Sequence, residues 1–510
     1  MSVLPESPIE ILTLSAAQWG RAIAVHDRDS FCTYSELLKN SLAVGEALRA
    51  HGVPPRSVVG ISLLGAKEFL AALFGILSND CIVIPIAPNL SSTEQDRLIK
   101  ETDVVAVVFA VQKIADSSPT GAASSLLGFT TKCEITLFDE VSVAISVATS
   151  PPADSAQRIS VSAYFNDAAV IRYTSGTTGR SKGVVLSKRA VCERAEVSRN
   201  LLEVGHGDQV LAPLPLSYHF VASALGFIRA GATILDSVAL SGPEMLALAV
   251  THNATHIYGS PIQYELLVAS ASASTSPAVG VLKSVRKAVS TSTLLPSGTA
   301  ELVRTKLGIR LTQVYGIIEV GLPIWNDQDS IPATALGRCT PPYECVVVDE
   351  NGKEVTSLAT IGELLIRGPG LYSGYLFGTT GKVQPRTGEW FSTGDLVSKD
   401  NEGNLYYRGR LKNVINCGGN KIFPEEVEQL LASCGEIAAV RVISEPHPML
   451  GDLVIAEIVM REGETPDVAA WRSLCYRELS SFKVPKEFRI VPSLPMTGSG
   501  KIQKHSERPM

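Results

Sequence analysis

The sequence predicts an α/β protein of at least two domains, and three observations carry that prediction. Its 510 residues exceed one ordinary core, because single domains usually hold about 100–200 residues. Apolar strand-like runs alternate with helical patterns, the arrangement that yields largely parallel sheets covered by helices. Near residue 410 the texture changes, and a compact α/β pattern of roughly 100 residues follows, a plausible second domain.

Each element follows from local pattern. The runs Val58 to Leu63, Val104 to Ala110 and Ala168 to Tyr173 are mostly apolar and read as buried strands. Ser/Ala/Pro-rich stretches at 117–125, 146–155 and 270–277 lack apolar periodicity and are predicted as surface loops. Thr174 to Lys182 reads as a loop and Val184 to Leu186 as a short strand. Ser187 then serves as N-cap of a helix carrying Val191, Ala195 and Leu202 at helical spacing. From Arg408 to Cys434 the chain reads RGRLKNVINCGGNKIFPEEVEQLLASC. Pro424 suits a first helical turn, Glu425 and Glu426 suit the positive helix end, and Val427, Leu430, Leu431 and Cys434 share one face. Strand-like runs at 438–444 and 453–460, a helix at about 467–479 and a last strand near 488–491 complete the unit. The boundary is placed at Lys412, giving domains 1–411 and 412–510.

Composition excludes several classes of function. Hydrophobic residues make up 45% and charged residues 19%, which suits a soluble globular enzyme and not a disordered chain. A net charge of −6 lacks the global basic field of a nucleic-acid-binding protein, so no nucleic-acid partner is expected. The nine cysteines include no CxxC pair and no zinc-type spacing, and are expected to be reduced in a cytoplasmic protein. The start, MSVLPESPIEILTLS, lacks a basic segment followed by an apolar one, so no signal peptide is expected. The most apolar region, Val58 to Pro88, is interrupted by Lys67, Glu68 and Asp80, and no membrane span is expected.

The segment Tyr173 to Gly183, YTSGTTGRSKG, concentrates glycine, hydroxyl and cationic residues between two strands. Glycines free backbone N–H groups to point at an anion, and threonine hydroxyls and a lysine can complete a polyphosphate cradle. A Walker A loop is ruled out, because it needs glycine at 181 and serine or threonine at 183, where Ser181 and Gly183 stand.

YTSGTTGRSKG resembles the phosphate-binding loop of the adenylate-forming superfamily, which takes in acyl-CoA synthetases, peptide-synthetase adenylation domains and beetle luciferases. Other segments agree in order along the chain. Phe31 to Leu37, FCTYSEL, resembles the family's TYxEL segment, and Pro213 to Phe220, PLPLSYHF, resembles its substrate-gate segment. Tyr315-Gly316-Ile317-Ile318-Glu319 resembles YGxTE, Gly362 to Gly368 resembles GELxxxG, and Trp390 to Leu396, WFSTGDL, resembles WFxTGDL. Gly409-Arg410-Leu411-Lys412 resembles the hinge, and Leu494 to Lys501, LPMTGSGK, resembles LPxTxxGK. The resemblance implies a large N-terminal domain of layered α/β subdomains, a small mobile α+β C-terminal domain, and an active site between them.

The resemblance also implies a chemistry. A carboxylate is a poor electrophile, and enzymes of this family convert it with Mg-ATP to an acyl-adenylate before passing the acyl group to a thiol. Bringing a carboxylate against a triphosphate needs cations and oriented donors to offset like-charge repulsion. By resemblance, Thr174, Ser175, Gly176, Thr177, Thr178, Gly179 and Lys182 cradle the phosphates, with Ser292, Thr293, Tyr315, Gly316 and Ile318 around the nucleotide. Glu319 binds Mg²⁺, a hard cation that prefers oxygen. Asp395 holds the ribose hydroxyls with Arg410, and Lys501 reaches the carboxylate and α-phosphate. Lys412 is the hinge, and Gly418 and Gly419 line the coenzyme A path. His219 is the gate residue, and Tyr218, Gly259, Ser260, Pro261, Val314 and Gly321 line the acyl pocket. Taken alone, Asp395 reads equally as a turn carboxylate, Lys501 as a solvated tail lysine and His219 as a core histidine.

Amino-acid-activating relatives place an aspartate in the gate segment to pair with the substrate ammonium. No acid stands between Leu214 and Phe227, so a carboxylic acid other than a free α-amino acid is expected. Three positions depart from the family. Ile318 replaces the YGxTE threonine and cannot donate its hydrogen bond, a loss of about 1.5–3 kcal/mol when the partner is charged. Val289 to Leu295, VSTSTLL, replaces a GGAPL-like stretch, and Asn416 stands where several relatives carry lysine. The expected function is acyl-CoA ligation from acid, ATP and coenzyme A. The alternatives are thioesterification of an acyl-adenylate supplied by a separate adenylating enzyme, loading of a carrier protein, and an inactive binding protein that keeps the fold.

Overall fold

The computed structural model describes residues 4–88, 90, 92–111, 129–138, 141–148, 161–174, 182–273, 280–328, 330–355, 357–358, 360–377, 382–417, 420–447, 451–496 and 502–503. The chain packs into two compact units. One takes Met1–Thr174, Ser181–Glu344 and Arg367–Glu389, and the other includes Cys345–Ile366 and Trp390–Met510. Lys412, the boundary set from sequence, falls within the second unit in the single-turn helix Leu411–Asn413.

Among the described residues the first unit holds two nine-stranded sheets. The first sheet has a parallel centre formed by Leu311–Ile317, Lys287–Ser290, His256–Gly259, Gln209–Ala212, Thr233–Asp236 and Ile23–His26. The second has a parallel centre of Ala168–Thr174, Ile82–Pro85, Val58–Ser62 and Val104–Ala110. All five residues of Val58–Ser62 are buried, as a parallel strand covered on both faces requires. Ligands of open α/β sheets bind beyond the carboxyl ends of such strands. Thr174, Gly259, Ser290 and Ile317 end four of them.

Local signals set the helix starts. Thr33 and Glu36 form a capping box that begins Tyr34–Ala50, and the Ser187 hydroxyl accepts from the Ala190 N–H to cap Lys188–Leu201, as expected. Helix Ala66–Leu77 has a cap no local pattern could reveal: its Ala66 N–H donates to Asp236, 170 residues away, at 2.8 Å.

Some sequence readings need correction. Residues 146–148, expected in a loop, belong to strand Val141–Ala148, because Val143 and Ile145 are buried and the strand pairs on both sides. Residues 270–273 are helical, in Pro261–Ala273, where alanine's helix propensity prevails. The stretch 117–125 lies outside the described residues. Thr174 and Lys182, expected at the two ends of a loop, pair with each other as strand ends, and residues 175–181 between them lie outside the described residues. Seven cysteines are free, but Cys339 and Cys345 are disulfide-bonded. No spacing motif signals this state.

His256 opens the strand that leads to Gly259. It is 3% exposed, its Nδ1 meets the Thr255 hydroxyl at 2.9 Å, and its Nε2 has no hydrogen-bond partner among the described residues. Burial pushes its pKa down, against the pull of Asp208 and with the push of Arg286 and Lys287. The folded state therefore binds fewer protons than the unfolded one below the usual histidine pKa of about 6.5. Stability is fullest above that value and falls as pH drops through the window beneath it. Thermal midpoints should decline from pH 7.5 to 5.5, and His256→Gln should flatten the slope. An unchanged slope in that variant would refute the assignment.

In the second unit, one sheet takes the order Glu344–Val348, Gly362–Arg367, Phe391–Lys399, Leu405–Arg410. A further sheet pairs Asn420–Ile422, Ile415–Cys417, Gly451–Met460 and Ile437–His447, with Glu487–Ile490 parallel to Gly451–Met460. Helices Pro424–Ala432 and Val468–Glu478 bury Val427, Leu431, Trp471 and Cys475 in its core, close to the spans read from sequence. Pro424 occupies the first helical turn as expected. Among the described residues no helix is long and apolar enough to cross a membrane.

Candidate active site

The strands Ala168–Thr174 and Lys182–Ser187 run antiparallel with Thr174 opposite Lys182, so residues 175–181 connect two fixed strand ends. Ser175, Gly176, Thr177, Thr178 and Gly179 lie outside the described residues, as does the Thr174 side chain. Lys182 Nζ lies 3.1 Å from Glu319 Oε1 and 3.8 Å from the centroid of the Tyr375 ring. The Tyr375 hydroxyl donates to the same Glu319 oxygen at 2.9 Å. Burial, and then the Glu319 charge, hold the Tyr375 phenol well above its ordinary pKa, so it stays protonated and remains a donor. Lysine, carboxylate and phenol thus form a compact group at the end of the strand that leaves the expected phosphate loop.

Glu319 rides on the turn between Leu311–Ile317 and Gly321–Asn326, whose backbone is held at three successive carbonyls. Arg194 Nη1 donates to the Ile318 carbonyl at 2.8 Å. The Tyr372 N–H donates to that of Glu319 at 2.8 Å, and the Tyr343 hydroxyl to that of Val320 at 3.5 Å. Gly321 has φ of +115°, and a Cβ there would stand 2.9 Å from the Tyr343 hydroxyl, so the position excludes a side chain. Val314 is buried, Tyr315 partly buried and Gly316 exposed. Ile318 is partly buried, because it lies on a turn and not within the sheet.

The gate segment forms the short helix Leu216–His219. His219 Nε2 lies 3.4 Å from the Ser292 hydroxyl, and its ring meets that of Tyr258 edge-on at 6.2 Å. Ser292 has φ of +74°, a left-handed conformation that costs a non-glycine residue about 1–2 kcal/mol. Thr293 is exposed. Gly259 ends its strand, and Ser260 directs its N–H (2.8 Å) and hydroxyl to Gln263 at the start of helix Pro261–Ala273. The Arg172 guanidinium is buried and donates to the Tyr218 carbonyl; burial pushes its pKa down to about 10.

The second unit carries its own cluster. Asp395 is 2% exposed and lies opposite Arg410 across two antiparallel strands, with Arg410 Nε 2.7 Å from its carboxylate. The Asp395 N–H donates to the Thr393 hydroxyl at 3.0 Å, and that hydroxyl donates to the Leu364 carbonyl at 2.7 Å. Burial, then the charges of Asp395 and Glu425, raise the neighbouring Tyr407 phenol. Lys412 and Asn416 are exposed. Lys501, Gly418 and Gly419 lie outside the described residues.

Sequence reasoning missed Tyr375, Arg194, Arg172 and Tyr258. Arg172 had a visible signal, a cation inside the apolar run AAVIRY; the others are ordinary residues of a strand or helix until packing assembles them.

Comparisons with known proteins identify the family and the fold. The family model described as AMP-binding enzyme matches residues 12–376, and its C-terminal domain model matches 426–501. Indoleacetate–CoA ligase of Aromatoleum aromaticum is 28% identical over 96% of this chain and 94% of its own. Sulfoacetate–CoA ligase of Cupriavidus necator is 27% identical over 97% and 96%. O-succinylbenzoate coenzyme A synthetase from Bacillus subtilis, solved with AMP, superposes with a TM-score of 0.78 at 21% identity, covering 98% of both chains. At that identity the superposition speaks for the fold alone.

Proposed function

The chain belongs to the AMP-binding enzyme family, within the adenylate-forming superfamily, and from that premise we propose that it is an AMP-forming acyl-CoA ligase. It joins a carboxylic acid to coenzyme A through an acyl-adenylate, releasing AMP and pyrophosphate. The observation that carries this reading is the Lys182–Glu319–Tyr375 group, built on the lysine of the YTSGTTGRSKG segment. The lysine and the carboxylate pair with each other at 3.1 Å. A polyphosphate gives Lys182 a stronger partner and leaves the Glu319 carboxylate available to a cation.

The residues fit Mg²⁺. Among the described residues no group of three or more His, Cys, Asp or Glu side chains gathers to hold an ion. A single carboxylate suits a Mg²⁺ that arrives on nucleotide phosphates and keeps several waters. When bound, the ion supplies charge neutralisation at the phosphates. Asp395 with Arg410 receives the ribose, Lys501 the reacting carboxylate and α-phosphate, and the exposed Lys412 serves as hinge. His219, with Tyr218, Ser292, Gly259, Val314 and Gly321, borders the acyl pocket, and Gly418 and Gly419 the coenzyme A path. The absence of an acid between Leu214 and Phe227 supports a substrate other than a free α-amino acid.

The test is a carboxylic-acid panel with ATP and coenzyme A, reading pyrophosphate release and thioester formation separately. No pyrophosphate with any acid would refute adenylation, and thioester on a protein thiol in place of coenzyme A would move the reading to carrier loading.

A second reading rests on Ile318. Without a hydroxyl there, adenylation weakens and the chain mainly thioesterifies a supplied acyl-adenylate. Ile318→Thr should then raise ATP-dependent pyrophosphate release about tenfold or more, for one hydrogen bond to a charged group, with thioesterification of synthetic acyl-adenylate unchanged. Equal competence of the parent chain in both assays removes this second reading.

A further inference from the structure

Arg194 is 4% exposed, and among the described residues no carboxylate makes an ion pair with it. Its Nε donates to the Gly370 carbonyl at 2.7 Å and its Nη1 to the Ile318 carbonyl at 2.8 Å, while Nη2 has no partner among the described residues. Burial pushes its pKa down to about 10, partly offset by Tyr343 and Glu319. A buried cation costs several kcal/mol, and an apolar side chain of similar volume would usually be no worse for stability. The guanidinium needs another use.

Three chain segments meet at this side chain. Arg194 lies on helix Lys188–Leu201, which directly follows the strand begun by Lys182. One of its bonds ends on the carbonyl before Glu319. The other ends on Gly370, whose N–H donates to the neighbouring Glu193 at 2.7 Å. From Gly370 the chain runs to Tyr372 and Tyr375, which bind the Glu319 backbone and carboxylate. Arg194 thereby closes a triangle that sets the separation of Lys182, Glu319 and Tyr375.

We propose that Arg194 is a positioning residue for the Glu319 carboxylate: it fixes the turn backbone through the Ile318 carbonyl and places a buried positive charge behind it, so that the Glu319 side chain is aimed for a nucleotide-borne divalent cation. This rests on the ATP-using reading above. Lysine keeps the charge but not the two-donor fork, whereas methionine keeps approximate volume and neither.

The experiment is ATP titration by calorimetry into the parent chain, Arg194→Met and Arg194→Lys, each in Mg²⁺ and in EDTA. Expected is a loss of about tenfold or more in the magnesium-dependent gain in affinity for Arg194→Met, unchanged affinity in EDTA, and partial recovery in Arg194→Lys. Equal weakening with and without Mg²⁺ would mean a merely structural role and overturn the proposal, as would a Lys variant no better than Met. If the parent chain binds no ATP, the functional reading fails. Positioning is then decided by hydrogen exchange of ligand-free protein. Faster exchange at 317–322, where the Val320 N–H closes the turn on Ile317, in Arg194→Met than in Arg194→Lys supports it, and equal rates overturn it.

Discussion

Glu319→Gln lowers pyrophosphate release from acid and ATP roughly tenfold to a hundredfold, while thioester formation from a supplied acyl-adenylate stays within a few-fold of the parent chain. The amide keeps the shape and the hydrogen bond from Tyr375, so the turn held through its backbone carbonyls stays in place. What disappears is one negative charge, which balances Lys182 at 3.1 Å and, in the function proposed above, receives the cation that arrives with ATP. Hydrogen bonds to charged groups are worth about 1.5–3 kcal/mol, and 1.36 kcal/mol is a factor of ten in rate. The effect belongs to the half-reaction in which a triphosphate is present. Parallel assays of both half-reactions decide it: equal losses would mean that Glu319 shapes the fold and not the adenylation chemistry.

Asp395→Asn weakens both half-reactions, because adenosine is present in ATP and in acyl-adenylate alike. The expected change is a rise of roughly ten- to a hundredfold in the KM for ATP and for synthetic acyl-adenylate, from the loss of a charged acceptor. Stability should fall less. Asp395 is 2% exposed but the Arg410 side chain is 37% exposed, so the arginine can turn to water and is not left as a buried unpaired charge. The cost is nearer the ~1 kcal/mol of a solvent-accessible pair than the 3–5 kcal/mol of a fully buried one. A KM for acyl-adenylate that does not move would refute the ribose role. Together the two substitutions separate residues that act on phosphates from those that hold the nucleoside.

Local physics made much of this legible. Continuous apolar runs announced strands such as Val104–Ala110, and Ser187 and Pro424 announced helix starts, because period, capping and proline geometry act within a few residues. The Ser/Ala-rich stretches misled at 146–148 and 270–273, since small residues suit a strand or helix once burial or propensity favours it. The disulfide-bonded state of Cys339 and Cys345 was missed because no spacing motif signals it.

By itself the sequence determined the α/β class, the motif order that marks the family and the residue types at each chemical position, but not the bounds of the second unit, which also takes in Cys345–Ile366 and begins its last stretch at Trp390. Only the tertiary structure decided which groups meet. Lys182 and Glu319 are 137 residues apart, Arg194 and Ile318 are 124, and Arg194 and Gly370 are 176. Such contacts depend on how two sheets and their covering helices pack, and no periodicity of 2 or 3.6 residues encodes them. The sequence could therefore single out Glu319 as a candidate cation ligand, whereas the phenol beside it and the buried guanidinium behind it emerged only when the segments were brought together.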